Sequence, residues 1–123
     1  MKAFISQPMA GMTDDEIRAR REELIRIIKL HCGENTEIID SFTKSEEIVG
    51  KGRIAMLGDS ISMMRDADVV LFAKGWQNSA GCNVEHEVCV QYHIRRLFEE
   101  TMTPPKVSTP KAEYYWGGTS NEK

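Results

Sequence analysis

The chain has 123 residues, 41% of them hydrophobic and 28% charged, which is the composition of one globular domain built around a single core. A net charge of -3 gives no basic footprint for duplex nucleic acid or an anionic membrane, and no apolar run is long enough to span a bilayer. The expected ligand is a small molecule, and the apolar start in "MKAFISQP" is too short for a signal-peptide core, which predicts a cytoplasmic protein.

"KAFIS" (2–6) is a short apolar run halted by the proline and glycine of "QPMAGM", and it predicts a first strand followed by a loop. "TDDE" then opens a helix. Thr13 and Glu16 have capping-box spacing, and Ile17, Leu24 and Ile28 recur on one face up to Cys32-Gly33, with "RARREE" on the solvated side. "EIIDSF" is a second short strand carrying Asp40 at its C-terminal end. The polar, glycine-bearing "TKSEEIVGKGR" predicts a mobile loop. "IAMLGDSISMMRDA" has a helical apolar stripe at Ile54, Leu57, Ile61 and Met64. "DVVLFA" (68–73) lacks alternation and is β-branched, as a strand covered on both faces should be.

The loop "GWQNSAG" leads into a further helix from about Cys82, and "IRRLF" after His93 predicts a fourth strand. From Thr103 onward the composition changes. Pro104, Pro105 and Pro110 precede "EYYWGGTSNEK", which predicts a domain over residues 1–102 and a proline-rich, aromatic tail over 103–123, expected to dock on this domain or on a neighbouring subunit. Three cysteines, Cys32, Cys82 and Cys89, without CxxC spacing predict reduced, buried thiols.

Strands alternating with helices predict a three-layer, flavodoxin-like (Rossmann-like) α/β fold, with about four parallel strands in the order 2-1-3-4 and helices on both faces. That order brings the loops after the first and third strands together at the topological switch point. The expected site therefore joins "QPMAGM", with Gln7, Pro8, Met9 and Gly11, to "GWQNSAG", with Trp76, Ser79 and Gly81.

At about 100° per residue, Val84, Val88, Tyr92, Glu85, Cys89 and Cys82 fall in one inward arc of the following helix, and His86, Glu87 and Gln91 fall outside it. Glu85 thus faces the apolar side, within the first turn, where the helix start should favour an ionised carboxylate. An inward, water-poor carboxylate is a nucleophile candidate, the plainer alternative being a bond to the neighbouring loop backbone. Cys82, His86, Cys89 and His93 follow one helix edge, but a rise of about 1.5 Å per residue spreads them too far for one zinc ion, so no metal is expected. Trp76 either stacks on a base or pins its own loop. The seven methionines are expected as core filling.

"FISQPMAGMT", "DADVVLFAKGW" and "SAGCNVEHEV" together resemble the nucleoside 2-deoxyribosyltransferase-like superfamily, above all its short bacterial and phage-borne members, over residues 1 to about 100. The resemblance implies cleavage of the N-glycosidic bond of a nucleoside or nucleotide, with no cofactor and within a homo-oligomer. It places the attacking glutamate at Glu85. Where transferases of the family often carry aspartate, this chain has Ser79, which resembles relatives that hydrolyse nucleoside 5'-monophosphates and hold the phosphate with that serine. Their first-loop arginine corresponds to Ala10. The family's acidic residue on the helix before the third strand falls at Ser60, with Asp59 one residue away, so Asp59 and Asp40 are both candidates for the second carboxylate. The alternative is a non-enzymatic nucleotide-binding module on the same scaffold.

Overall fold

The computed structural model describes residues 1–41 and 52–102. The expected loop at 43–53 falls largely, and the aromatic tail wholly, outside the described residues. The elements run β1 (Lys2–Ser6), α1 (Asp14–Cys32), β2 (Glu37–Ile38), α2 (Arg53–Met64), β3 (Val69–Phe72), a single 3-10 turn (Trp76–Asn78), α3 (Ala80–Tyr92), β4 (Arg95–Phe98) and a short α4 (Glu99–Met102). The four strands form one all-parallel sheet in the order β2-β1-β3-β4, the expected flavodoxin-like arrangement. No helix among the described residues is long and apolar enough to cross a membrane.

Strand pleating sorts the core into two layers. Ala3, Ile5, Val69, Leu71, Ala73 and Leu97 face one side, where they meet Leu24 and Ile28 of α1 and Met102 of α4. Phe4, Val70 and Phe72 face the other side, with Met64 of α2 and Cys89 of α3. All four residues of β3 are buried because helices cover both faces, which explains why its sequence shows no alternation.

Helix α1 starts where its chemistry says it should. Thr13 accepts from the Glu16 amide at 3.1 Å, and the Glu16 carboxylate accepts from the Thr13 amide at 2.8 Å. Its buried stripe is Ile17, Arg21, Leu24 and Ile28, so an arginine of the "RARREE" segment lies inside it. β2 is shorter than its sequence suggests, and Asp40 lies exposed beyond it. The apolar stripe of α2 is only partly used. Met64 is buried, Leu57 and Ile61 are half-buried, and Ile54 is 87% exposed, because α2 is anchored through its C-terminal turn and its first turn stands clear of the sheet.

Helix α3 ends on His93, which is left-handed at φ 60°, and the Ile94 amide closes the turn onto the Cys89 carbonyl at 3.0 Å. This conformation favours glycine over any side-chain-bearing residue. Replacing the exposed His93 by Gly is expected to stabilise the fold by about 0.5–1 kcal/mol, read as a shift of the urea midpoint at constant slope. A loss of stability would show that the imidazole makes a contact worth more than the strain it causes.

Candidate functional site

Ser6 ends β1 opposite Phe72 of β3, and the Ser6 carbonyl accepts from the Ala73 amide at 2.9 Å. This pairing brings the two post-strand loops together at the carboxyl edge of the sheet. Gly75, in the left-handed region at φ 87°, turns the chain into the 3-10 turn, and Ser79 caps α3 by accepting from the Cys82 amide at 3.3 Å. The helix therefore starts at Ala80, two residues earlier than expected, and Glu85 falls in its second turn.

Glu85 points into the protein and is 8% exposed. Its partner is the Ser6 side chain rather than a loop backbone group: Ser6 Oγ donates to Glu85 Oε1 at 2.6 Å. The expectation that the helix start favours the ionised carboxylate is corrected. Burial pushes the Glu85 pKa up to about 7, against the opposing pull of the Ser6 bond. The helix-start field fades within the first turn, so it does not offset the desolvation of a carboxylate in the second. Next to it, burial raises the Cys82 thiol above its usual range despite contacts with the Ser6 and Ser79 hydroxyls, and it pushes Cys89 up to about 12. Both thiols are protonated near neutral pH, and neither is a nucleophile there.

The inward arc of α3 is rotated from its expected position. Cys82, Glu85 and Cys89 are buried, but Val84 is 41% and Tyr92 76% exposed, and His86 is half-buried instead of solvated. The reason is an aromatic cluster that takes up His86. The His86 ring stacks on Trp76 with centroids 4.5 Å apart and meets Phe72 edge-on at 5.2 Å. Arg96 Nη1 lies 2.8 Å from His86 Nε2, and because a guanidinium can only donate, Nε2 is the acceptor and the ring is neutral. Burial first, then Arg96, lowers the His86 pKa. One face of the Trp76 indole is thus occupied by His86.

On the other side of β1, Gln7 is buried and held at both ends of its amide. Arg21 Nη1 donates to Gln7 Oε1 at 3.2 Å, and Gln7 Nε2 donates to the Ile17 carbonyl at 3.4 Å. Arg21 also donates to the Ile39 carbonyl at 2.9 Å and to Ser41 Oγ at 3.4 Å, tying the ends of β1 and β2 together. Burial lowers its pKa, and the charge of Asp40 raises it. Pro8 and Met9 are half-buried, Ala10 and Gly11 are exposed, and Gly11 takes φ 79° in the turn closed by the Met12 amide on the Met9 carbonyl.

On the α3 face the structure brings together Ser6, Ser79, Cys82 and Glu85, with Trp76 stacked on His86 beside them, whereas Gln7 lies on the α1 face of the sheet and does not join them. Asp59 and Ser60 are half-buried on α2, two and three residues past Leu57, whose Cδ1 lies 3.9 Å from where a side chain at Gly81 would begin. Asp40 stands on the Arg21 side of the site. Among the described residues, no three His, Cys, Asp or Glu side chains converge to hold a metal ion. A separate groove of about 360 Å³, lined by Arg20, Glu23, Arg26, Ile27, Leu30 and Glu99, lies on the α1 face, across the sheet from α3.

Ser6 and Arg21 are site residues that periodicity did not single out. Ser6 carried a usable signal, being a polar residue in phase with Phe4 on the strand face that α3 covers. Arg21 carried another, since it occupies the i+4 position from Ile17 within the apolar stripe. Comparison of the chain with protein families, with curated proteins and with solved structures gave no match.

Proposed function

We propose that this protein cleaves the N-glycosidic bond of a nucleoside or nucleotide, as a 2-deoxyribosyltransferase or an N-glycoside hydrolase, with Glu85 as the nucleophile. The observation that carries this reading is a buried carboxyl group, bonded by one hydroxyl, at the carboxyl edge of a parallel sheet where two loops meet. Its pKa of about 7 makes the ionised form available near neutrality, and its burial keeps that form weakly solvated. The motif resemblance around "SAGCNVEHEV" supports the same assignment.

In the first step a Glu85 carboxylate oxygen bonds to the anomeric carbon as the carbon–nitrogen bond breaks. The base leaves with the bonding pair and is protonated by an acid, for which Asp59 and Asp40 are the candidates. In the second step the nitrogen of another base, or a water, attacks the same carbon, the carboxylate departs, and the proton lost by the incoming group returns to the acid that protonated the first base. Ser79 and Gly81 would shape the sugar or phosphate pocket, with Pro8, Met9 and Gly11 at its rim and Ser60 and Trp76 toward the base. The chain carries Ala10 at the position of the relatives' phosphate arginine, and that feature favours the second reading, a nucleotide-binding module without turnover.

Incubation with a panel of nucleosides, deoxynucleosides and their 5'-monophosphates, with chromatographic detection of free base, tests the proposal. Base release that rises with pH through about 7 and disappears in Glu85→Ala is the expected result. Saturable binding without base release across the panel would replace the enzyme by the binding module.

A further inference from the structure

Ser6 has no exposed surface, and its hydroxyl reaches across 79 positions of sequence to Glu85. The backbone that carries it is fixed from both sides. β1 pairs with β2 and β3, the Ser6 carbonyl is bound by the Ala73 amide, and the adjoining Gln7 is clamped by Arg21 and the Ile17 carbonyl. A serine hydroxyl has one proton to give, and here it goes to Glu85 Oε1. Burial keeps the neighbouring Cys82 thiol protonated, so it presents no competing anion to the Ser6 hydroxyl.

We propose that Ser6 is a positioning residue for the Glu85 nucleophile, holding Oε1 so that Oε2 is the oxygen presented to the anomeric carbon. The proposal rests on the reading of Glu85 given above. The Ser6 proton stays on Ser6 throughout: Oε2 forms the bond to carbon, and Oε1 becomes the carbonyl oxygen of the glycosyl ester. A hydroxyl bond to a carboxylate is shorter and stronger than one to an ester carbonyl. Ser6 therefore favours the ionised enzyme before attack and the departing carboxylate in the second step. Cys82 and Cys89 are the titratable groups coupled to the charge of Glu85, and both are on α3. From β1 it meets the Ser6 hydroxyl.

The test is a pH titration of the Glu85 side-chain carboxyl by carbon-13 NMR, run beside the pH profile of base release, in the wild-type protein and in Ser6→Ala, Ser6→Thr and Ser6→Cys. The wild-type midpoint is expected at about 7. In Ser6→Ala it should rise by about one unit, which slows base release below the midpoint about tenfold at unchanged KM. Ser6→Thr keeps the hydroxyl and should restore both values. Ser6→Cys keeps the packing with a weaker donor and should fall between, which serves if the alanine variant does not fold. A folded Ser6→Ala whose midpoint and acid limb match the wild type would overturn the proposal. Absence of base release in the wild type would overturn the nucleophile reading, and the carboxyl titration would still decide by itself whether Ser6 governs Glu85.

Discussion

Glu85→Gln is expected to lose at least about 10³-fold in base release and, in the same protein, to become more stable than the wild type above neutral pH. The second half follows from proton linkage. The folded protein raises the Glu85 pKa from 4.5 to about 7, so the native state binds the proton more tightly than the unfolded chain does. The benefit of the protonated carboxyl is complete below 4.5 and is lost as pH rises through about 7. That displacement corresponds to about 3 kcal/mol, the cost of an ionised carboxylate in this site. Glutamine has nearly the same shape, can still accept the Ser6 proton and carries no charge. The two proteins should be equally stable in acid and should separate by about 3 kcal/mol near pH 8, by urea denaturation at a series of pH values. His86 acts in the opposite sense. Its lowered pKa favours the neutral ring, and this contribution is present above 6.5 and lost as pH falls, in both proteins alike. A stability difference that does not grow between acid and weak alkali would mean that Glu85 is ionised at ordinary carboxylate pH, and the desolvated nucleophile would have to be abandoned. A stabilised but inactive variant is the mark of a group retained for chemistry rather than for folding.

The sheet order could be anticipated because its signals are local. The Thr13–Glu16 box, the unpatterned apolar run at Val69–Phe72 and the breaks at Pro8 and Gly75 each act within a few residues, and topology then places the switch point. The site itself was only half legible. Periodicity put Glu85 inward, yet its state depends on a strand serine 79 residues away and on how completely the sheet and helices exclude water. The phase of α3 escaped for a related reason. Val84 and Tyr92 are apolar but exposed, and His86 is drawn in by Trp76, Phe72 and Arg96, which lie on other elements. Arg21 repeats the Glu85 pattern on α1. Each is a charged residue on an otherwise apolar stripe, and each ends at the same edge of the sheet.

Glu99→Ala is expected to cost about 2–4 kcal/mol. Glu99 begins α4 just past β4 and is buried against α1. Its Oε1 accepts from Arg20 Nη2 of α1 and also from the Lys74 amide at 2.7 Å, so one oxygen joins α1 to the end of β3. Burial alone would lower the Arg20 pKa, but the bond to Glu99 and its charge, aided by Glu23, raise it. Among the described residues, alanine would leave a half-buried guanidinium with the exposed Glu23 as its remaining partner, and a Lys74 amide without this acceptor. Glutamine keeps an acceptor for Lys74 and removes only the charge, so Glu99→Gln should lose about half as much. The consequence extends to the site across the sheet. Lys74 directly precedes Gly75 and Trp76, and freeing its amide loosens the loop that carries Ser79 to the start of α3. Urea denaturation of the three proteins should therefore rank them wild type, glutamine, alanine, with faster amide exchange at Trp76–Ser79 in the alanine variant alone. Equal stability of the alanine and glutamine variants would assign the whole effect to the Arg20 charge and none to the Lys74 amide.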